Sequence, residues 1–360
     1  MLHAPLSQPF SRRRYVLALN TYKFLDLMKM IEFADVETAR EKLKDIIKRT
    51  PLVYSKYMSE ISGLAVYLKL DNFQVTGSFK VRGVLNRMLY MSKVEKKKGV
   101  ITASSGNHGK ALAFAARRDG VPAIIVVPET TPRNKIEAIQ HLDAEVILHG
   151  AIYDDAEQKA KELAEQRGMN YVHSYLEPLA WAGYGSIALE ILEDLPNLDA
   201  IVAPIGGGGL ITGVAFSAKS LRPSVKVFGV EPAGAPAMSE SLKAGKSVRL
   251  EKVESSADGL ISQQISDITV ATVREYVDKV VLVSDEEIAE TICLLLDYEK
   301  ILVELAGAAS VAAIVKKRID LLQGSKVVCI ISGGNLDLQR LAGFIKKSPS
   351  PIYPRFLSEG

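Results

Sequence analysis

The sequence predicts an α/β protein of two doubly wound domains, and three observations carry that expectation. Short apolar runs alternate with segments of helical periodicity from residue 65 to residue 331. Most of the runs are continuous Val, Ile and Leu, as in parallel strands covered on both faces, and do not alternate apolar with polar. The chain has 360 residues, more than one core usually serves, because cores stop growing at about 250–300 residues.

In chain order, helical spacing over 36–48 is closed by Arg49-Thr50-Pro51-Leu52. Strands are then expected at 65–70, 99–103, 123–127, 144–148, 200–205, 225–230 and 326–331. Helices are expected at 107–118, 132–141, 154–166, 183–193, 210–220 and 285–299. No repeat or low-complexity linker marks a boundary, so strand count places it. Residues 99–173 form a small mobile domain inserted between 31–98 and 174–346, which form the larger one, with an extension over 1–30 and a tail over 347–360. A crevice between the two domains is the expected site.

Composition narrows the class of partner. Hydrophobic residues make up 48% and charged residues 24%, the balance of an ordinary globular chain. Lys and Arg number 45 against 42 Asp and Glu, so no global field recruits nucleic acid or a membrane surface, and small molecules are the expected partners. No apolar stretch approaches the roughly 20 residues that span a bilayer. Cys293 and Cys329 have neither metal-site nor disulfide spacing, which points to a reducing, cytoplasmic setting. Residues 1–25 contain no acid and include Ser11-Arg12-Arg13-Arg14, a composition shared with targeting segments. No small-residue cleavage site follows an apolar region there, so an extension or a start near Met28 or Met30 is the reading preferred.

Four short stretches carry the chemistry. Gly206, Gly207, Gly208 and Gly209 follow an expected strand and precede Leu210-Ile211-Thr212-Gly213, so their N–H groups can converge on a phosphate at a helix N-terminus. They lack the Gly-Lys-Ser/Thr ending of a nucleotide-triphosphate loop and the spaced glycines of a dinucleotide fingerprint. A plain strand-to-helix turn is the alternative, disfavoured because four glycines in succession cost so much chain entropy. Lys80 follows Gly77-Ser78-Phe79 at the opening of a helix, where Phe79 can pack beside a flat ring. An apolar neighbour and nearby Arg82 are expected to lower its pKa, as an amine needs for imine formation and proton transfer.

Ser104-Ser105-Gly106-Asn107-His108-Gly109 stands between a strand and a helix, where amides and hydroxyls can clamp a carboxylate; an ordinary N-cap by Ser105 or Asn107 is the bland alternative. His108 by itself is no evidence for a general base. Ser332 ends a buried strand, and Gly333-Gly334-Asn335 is expected to open the last helix. A hydroxyl there can bond a pyridine nitrogen without forcing its protonation, which weakens the electron sink and favours prompt elimination. Each stretch has a bland reading alone. Together they describe a pocket for pyridoxal 5'-phosphate, with a lysine for the aldehyde and a glycine run for the phosphate.

With these motifs the chain resembles the fold-type II pyridoxal phosphate enzymes over roughly 33–345, specifically the threonine/serine dehydratase and serine racemase branch. Sister branches differ at the same places: cysteine synthases typically read Ser-Gly-Asn-Thr-Gly in the substrate loop, and threonine synthases Ser-Phe-Lys-Asp after their own pattern. Here Lys80 precedes Val81-Arg82-Gly83, and the substrate loop reads Ser-Gly-Asn-His-Gly. Further family-like stretches are Ala182-Gly183-Tyr184-Gly185-Ser186, Gly229-Val230-Glu231-Pro232, Ala257-Asp258-Gly259, and Glu304 before Ala306-Gly307-Ala308.

The resemblance implies a tryptophan synthase β-like architecture and a homo-oligomer, dimer or tetramer. It implies that Lys80 carries the cofactor as a Schiff base and later moves the Cα proton. Asn107 would contact the phenolic oxygen, Gly206 to Gly209 the phosphate, Ser332 the ring nitrogen and Phe79 the ring. Ser104, Ser105, Asn107 and His108 would surround the substrate carboxylate. The implied reaction is deamination of L-threonine to 2-oxobutyrate and ammonia, with L-serine as a second substrate, in the setting of isoleucine biosynthesis.

Departures from the pattern matter too. A divalent-metal site of the racemase kind pairs a glutamate with an aspartate six residues later; Glu231 is present, but Ala237 stands at the aspartate position, so no metal is expected. The small-domain arginine of animal racemases falls at Glu157, and Tyr184 stands where glutamine is more usual. Serine racemase remains the first rival, with Ser105 as the acid on the opposite face. A non-catalytic amino-acid sensor on the same scaffold is a second, opposed by the intact Lys80, and a nicotinamide enzyme a third. Only 25 residues follow Asn335, too few for an additional domain of about 50 residues, so no feedback by isoleucine is expected.

Overall fold

The computed structural model describes residues 31–347; the extension expected over 1–30 and nearly all of the tail expected over 347–360 lie outside the described residues. Ten strands occur among those residues: β1 (Leu52–Tyr54), β2 (Ala65–Leu70), β3 (Val100–Ala103), β4 (Ala123–Val127), β5 (Glu145–Leu148), β6 (Asn170–Tyr171), β7 (Ala200–Pro204), β8 (Lys226–Pro232), β9 (Lys279–Val283) and β10 (Lys326–Ile331). They form two sheets, a six-stranded one in the order β1-β2-β10-β7-β8-β9 and a four-stranded one in the order β5-β4-β3-β6. Every pairing is parallel except β1 with β2.

The continuous apolar runs are explained by what covers each face. Successive strand residues point to opposite sides. From β7 and β10, Ile201, Ala203, Val328 and Ile330 meet the helices Pro178–Asp194 and Gly209–Leu221. Their neighbours Ala200, Val202, Val327, Cys329 and Ile331 meet the helix Leu305–Val315 on the other side. Both faces are therefore dry, and each buried Val or Ile contributes about 1.5–3 kcal/mol. β3 and β4 are sandwiched likewise between two smaller clusters. The α/β class with parallel sheets is as the sequence predicts.

Two boundaries differ from expectation. The first helix runs over Phe33–Leu43 and does not reach Lys48. Gln74 draws the backbone away: its Nε2 donates to the Lys48 carbonyl at 2.7 Å and its Oε1 accepts from the Lys48 N–H at 3.0 Å. The last helix opens at Leu338 and not at Gly333. Gly333 bridges Ser78, and the Gly334 N–H donates to the Gly77 carbonyl at 2.9 Å, which ties this segment beside the Lys80 segment.

Under the site lies a buried ionic network. The Arg82 guanidinium donates to Asp71 at 2.8 and 2.9 Å and to Glu190 at 2.6 and 3.1 Å, and Lys69 Nζ donates to Glu190 at 2.6 Å. Two cations thus face two carboxylates, all buried. Removing one partner from such a group costs about 3–5 kcal/mol. The network joins β2, the helix Lys80–Leu89 and the helix Pro178–Asp194, so it fixes the backbone that presents Lys80.

Candidate active site

β2, β10 and β7 are parallel neighbours, so the chain leaves all three at one edge of the large sheet. That edge is where open parallel sheets bind ligands. The segment after β2 leads to Lys80, β10 ends before Ser332 and β7 ends before Gly206; β3 of the second sheet delivers Ser104 to the same place. One cavity of about 1750 Å³ results. Phe79, Lys80, Ser104, Ser105, Asn107, His108, the four glycines from Gly206 to Gly209 and Ser332 all line it.

Lys80 opens the helix Lys80–Leu89, and its Nζ donates to the Ser174 carbonyl at 2.7 Å. The Phe79 ring lies 5.2 Å from that nitrogen. Desolvation lowers the amine's pKa to about 8, against the pull of the Glu304 carboxylate, which raises it. Arg82 has no part in this shift, contrary to the sequence expectation: its guanidinium is enclosed by Asp71 and Glu190 on the far side of the helix turn.

Gly208, at φ +87, turns the chain into the helix Gly209–Leu221, which has no side-chain cap. The Thr212 N–H reaches the Gly208 carbonyl at 3.0 Å, so the amides ahead of it are the free N-terminal donors of the helix. Such a turn can cradle a phosphate. The glycines answer to packing as well: a Cβ on Gly207 would fall 2.2 Å from Cγ of Tyr175, and one on Gly208 2.2 Å from Cγ2 of Thr269.

Asn107 begins the helix Asn107–Asp119 behind Gly106, the N-cap; neither Ser105 nor Asn107 caps it. The Asn107 amide is held at both ends. Its Nδ2 donates to Glu304 Oε1 at 2.5 Å, and its Oδ1 accepts from Asn335 Nδ2 at 2.7 Å. Lys110 Nζ in turn donates to Asn335 Oδ1 at 2.9 Å. Burial pushes the Glu304 carboxyl up to about 7, although the Asn107 bond draws it down. Ser332 makes only a 3.4 Å contact to the Ala306 carbonyl, leaving its hydroxyl available to a ligand. Lys110, Glu304 and Asn335 complete the site. Lys110 is not singled out by the sequence, while Glu304 and Asn335 stand in the stretches quoted above without an assigned role.

Ser104 and Ser105 sit half-buried on the cavity wall, and Ser104 Oγ accepts from the Gly106 N–H at 3.3 Å. His108 is different. Burial, with the nearby Lys80 charge, drops its pKa to about 3, and its Nε2 lies 3.2 Å from the Val172 carbonyl. A carbonyl only accepts, so the proton is on Nε2. The neutral ring thus points at Val172, and only the backbone amide of His108 suits a carboxylate clamp. Across the cavity Glu157 accepts from the Tyr171 hydroxyl at 3.0 Å and pairs with Lys161 at 3.0 Å. Burial raises the Glu157 carboxyl, but Lys161, His173 and the Tyr171 hydroxyl together outweigh it and the net shift is downward. Glu231 is satisfied internally by the Met238 N–H at 2.7 Å and by the Ser239 N–H and Oγ at 2.9 and 2.7 Å.

A desolvated lysine, an uncapped glycine turn and a fixed amide around one cavity define a class: an enzyme holding a phosphate-bearing aldehyde. The comparisons agree. Residues 43–333 match the family described as "Pyridoxal-phosphate dependent enzyme", and the chain belongs to that family. It is 44% identical over 318 residues to the L-threonine ammonia-lyase of Thermotoga maritima, covering 88% of this chain and 79% of that protein. It is 40% identical over 325 residues to a Staphylococcus aureus protein named L-threonine dehydratase catabolic TdcB, covering 89% and 94%. Among solved structures, the processed form of threonine deaminase isoform 2 from Solanum lycopersicum superposes with a TM-score of 0.84 at 35% identity, over 90% of this chain and 94% of that one. Maize serine racemase gives 0.83 at 34% identity, over 88% and 97%.

Proposed function

We propose that the protein deaminates L-threonine to 2-oxobutyrate and ammonia with pyridoxal phosphate, and acts on L-serine to give pyruvate. The observation that carries the proposal is the depressed pKa of Lys80 in one cavity with the glycine turn and the Asn107 amide. When bound, the cofactor supplies an aldehyde for the substrate amine and a ring that accepts the electron pair left at Cα. Lys80 holds the aldehyde, and as a free amine it takes the Cα proton. Gly206 to Gly209 hold the phosphate, and Asn107 and Ser332 fix the ring at its oxygen and nitrogen. Phe79 packs beside it. Ser104, Ser105 and the backbone of Asn107 and His108 hold the substrate carboxylate. Loss of the Cα proton and the β-hydroxyl removes one water; the released enamine takes up one water and gives the keto acid and ammonia.

Support for threonine as substrate comes from the names of the relatives at 40–44% identity. We also read 99–173 as the small domain and 31–98 with 174–346 as the large one, on the evidence that each sheet has its own covering helices. The test is a keto-acid assay on L-threonine, L-serine and D-serine with enzyme loaded with pyridoxal phosphate. Turnover of L-threonine is expected, and its absence with turnover of serine alone would overturn the assignment. A racemase reading is favoured by one observation, the position of Ser105 on the cavity wall. Ser105→Ala should abolish any exchange of L- and D-serine while leaving threonine deamination measurable; loss of both would assign Ser105 to the carboxylate clamp.

A further inference from the structure

We propose that Tyr184 is a positioning residue that sets the separation between Lys80 and the glycine turn, the two ends by which the cofactor is held; this rests on the cofactor reading above. The helix Pro178–Asp194 crosses both the helix Lys80–Leu89 and the helix Gly209–Leu221. Both crossings are close because the contact residues lack side chains. A Cβ on Gly183 would fall 2.5 Å from the Arg82 carbonyl oxygen, and one on Gly213 would fall 2.3 Å from the Trp181 carbonyl oxygen.

Between these two crossings stands one large side chain. Tyr184 is 1% exposed. Its Cε1 lies 2.4 Å from where a Cβ on Gly83 would be, one turn beyond Lys80, and its Cβ lies 3.1 Å from the corresponding position on Gly213. Its ring also meets the Phe79 ring edge-on, with centroids 4.8 Å apart at 65°. The Tyr184 ring therefore touches the lysine helix and the ring beside Lys80, while on the other side the Tyr184 Cβ and the Trp181 backbone seat its helix on the helix that the glycine turn opens. An aromatic ring is a rigid filler in a close-packed interior. A softer or smaller residue lets the lysine helix shift against the helix Pro178–Asp194, and with it against the glycine turn, whose helix is seated on backbone contacts that the substitution keeps. Burial pushes the hydroxyl's pKa up and keeps it a neutral phenol, and the atoms that reach Gly83 are ring carbons.

The experiment separates span from fold by comparing two ligands. Pyridoxal phosphate must reach both Lys80 and the glycine turn; pyridoxal keeps the aldehyde and ring contacts but has no phosphate to reach the glycine turn. In the full chain, affinities for both are titrated for wild type, Tyr184→Phe, Tyr184→Leu and Gly83→Ala, with the visible dichroism of the bound cofactor as a second readout and far-UV dichroism as the fold control. Gly83→Ala places a methyl against the ring from the other side, so it tests the wedge even where Tyr184→Leu does not fold.

Tyr184→Phe should behave as wild type. Tyr184→Leu and Gly83→Ala should lose about tenfold or more for pyridoxal phosphate but about twofold or less for pyridoxal, with altered visible dichroism. Equal losses for both ligands, or no loss for either, would overturn the proposal. Failure of the underlying reading would look different: wild type itself would form no visible band with pyridoxal phosphate.

Discussion

Lys80 is recognisable from its Gly-Ser-Phe-Lys context, and the apolar surroundings expected to lower its pKa do so, but the expected part of Arg82 fails, because only the fold shows Arg82 turned into its own carboxylate cage. The amine is depressed by burial, so its neutral, reactive form is populated at lower pH than for an ordinary lysine. With a pKa of about 8, roughly a tenth of it is neutral at pH 7. Capture of pyridoxal phosphate by the cofactor-free protein should therefore accelerate from pH 7 to pH 9 and level off above; a stopped-flow absorbance series checks this. A rate still climbing in proportion to hydroxide at pH 10 would mean an ordinary, solvated lysine. Glu304 gives a second pH signature. Its folded pKa of about 7 lies above that of a free carboxyl, so its contribution to stability is full below pH 4.5 and is lost as pH rises through 7. Glu304→Gln keeps an acceptor for Asn107 Nδ2 and removes the ionisation. In the cofactor-free protein, urea titration should show wild type losing up to about 3 kcal/mol relative to this variant between pH 5 and pH 8. A constant difference across that range would contradict the shift.

Strands buried on both faces were legible as elements, because every residue of β3, β4 and β7 is apolar or small and fully covered. Those outside the expected set are marginal or at an edge. β1 has three residues and pairs antiparallel at the rim, and β6 has two. β9 is an edge strand of Lys279–Val283 whose sequence is a short run of four apolar residues, while its burial alternates, with Leu282 exposed between buried Val281 and Val283. The last helix shows the opposite failure. Gly333 and Gly334 read as a helix opening, but tertiary bonds to Ser78 and Gly77 claim their backbone. The glycine turn was legible as a strand-to-helix turn, while its packing against Tyr175 and Thr269 was not. That dual constraint yields a prediction. Gly207→Val should weaken cofactor affinity and also disturb the fold by displacing the Tyr175 ring. Adding Tyr175→Ala should restore the urea midpoint but not the affinity. Recovery of both would assign the glycine to packing alone.

For the whole molecule, sequence reading foresaw which segments meet but not what joins them. Lys135 Nζ reaches Asp258 at 2.8 Å, Asn134 reaches Asp337 at 2.7 Å and Arg249 reaches Asp154 at 2.8 Å around the cavity rim. Such surface pairs leave no periodicity in a sequence and contribute about 0–1 kcal/mol each. Residues scattered from Phe79 to Ser332 converge on one cavity, and in the proposed function Lys80 alone carries the cofactor aldehyde. Borohydride reduction of the protein loaded with pyridoxal phosphate, followed by peptide mapping, tests it most directly. The label should fall on Lys80, and Lys80→Ala should take none; a label on another lysine, or colour and turnover surviving Lys80→Ala, would contradict the account.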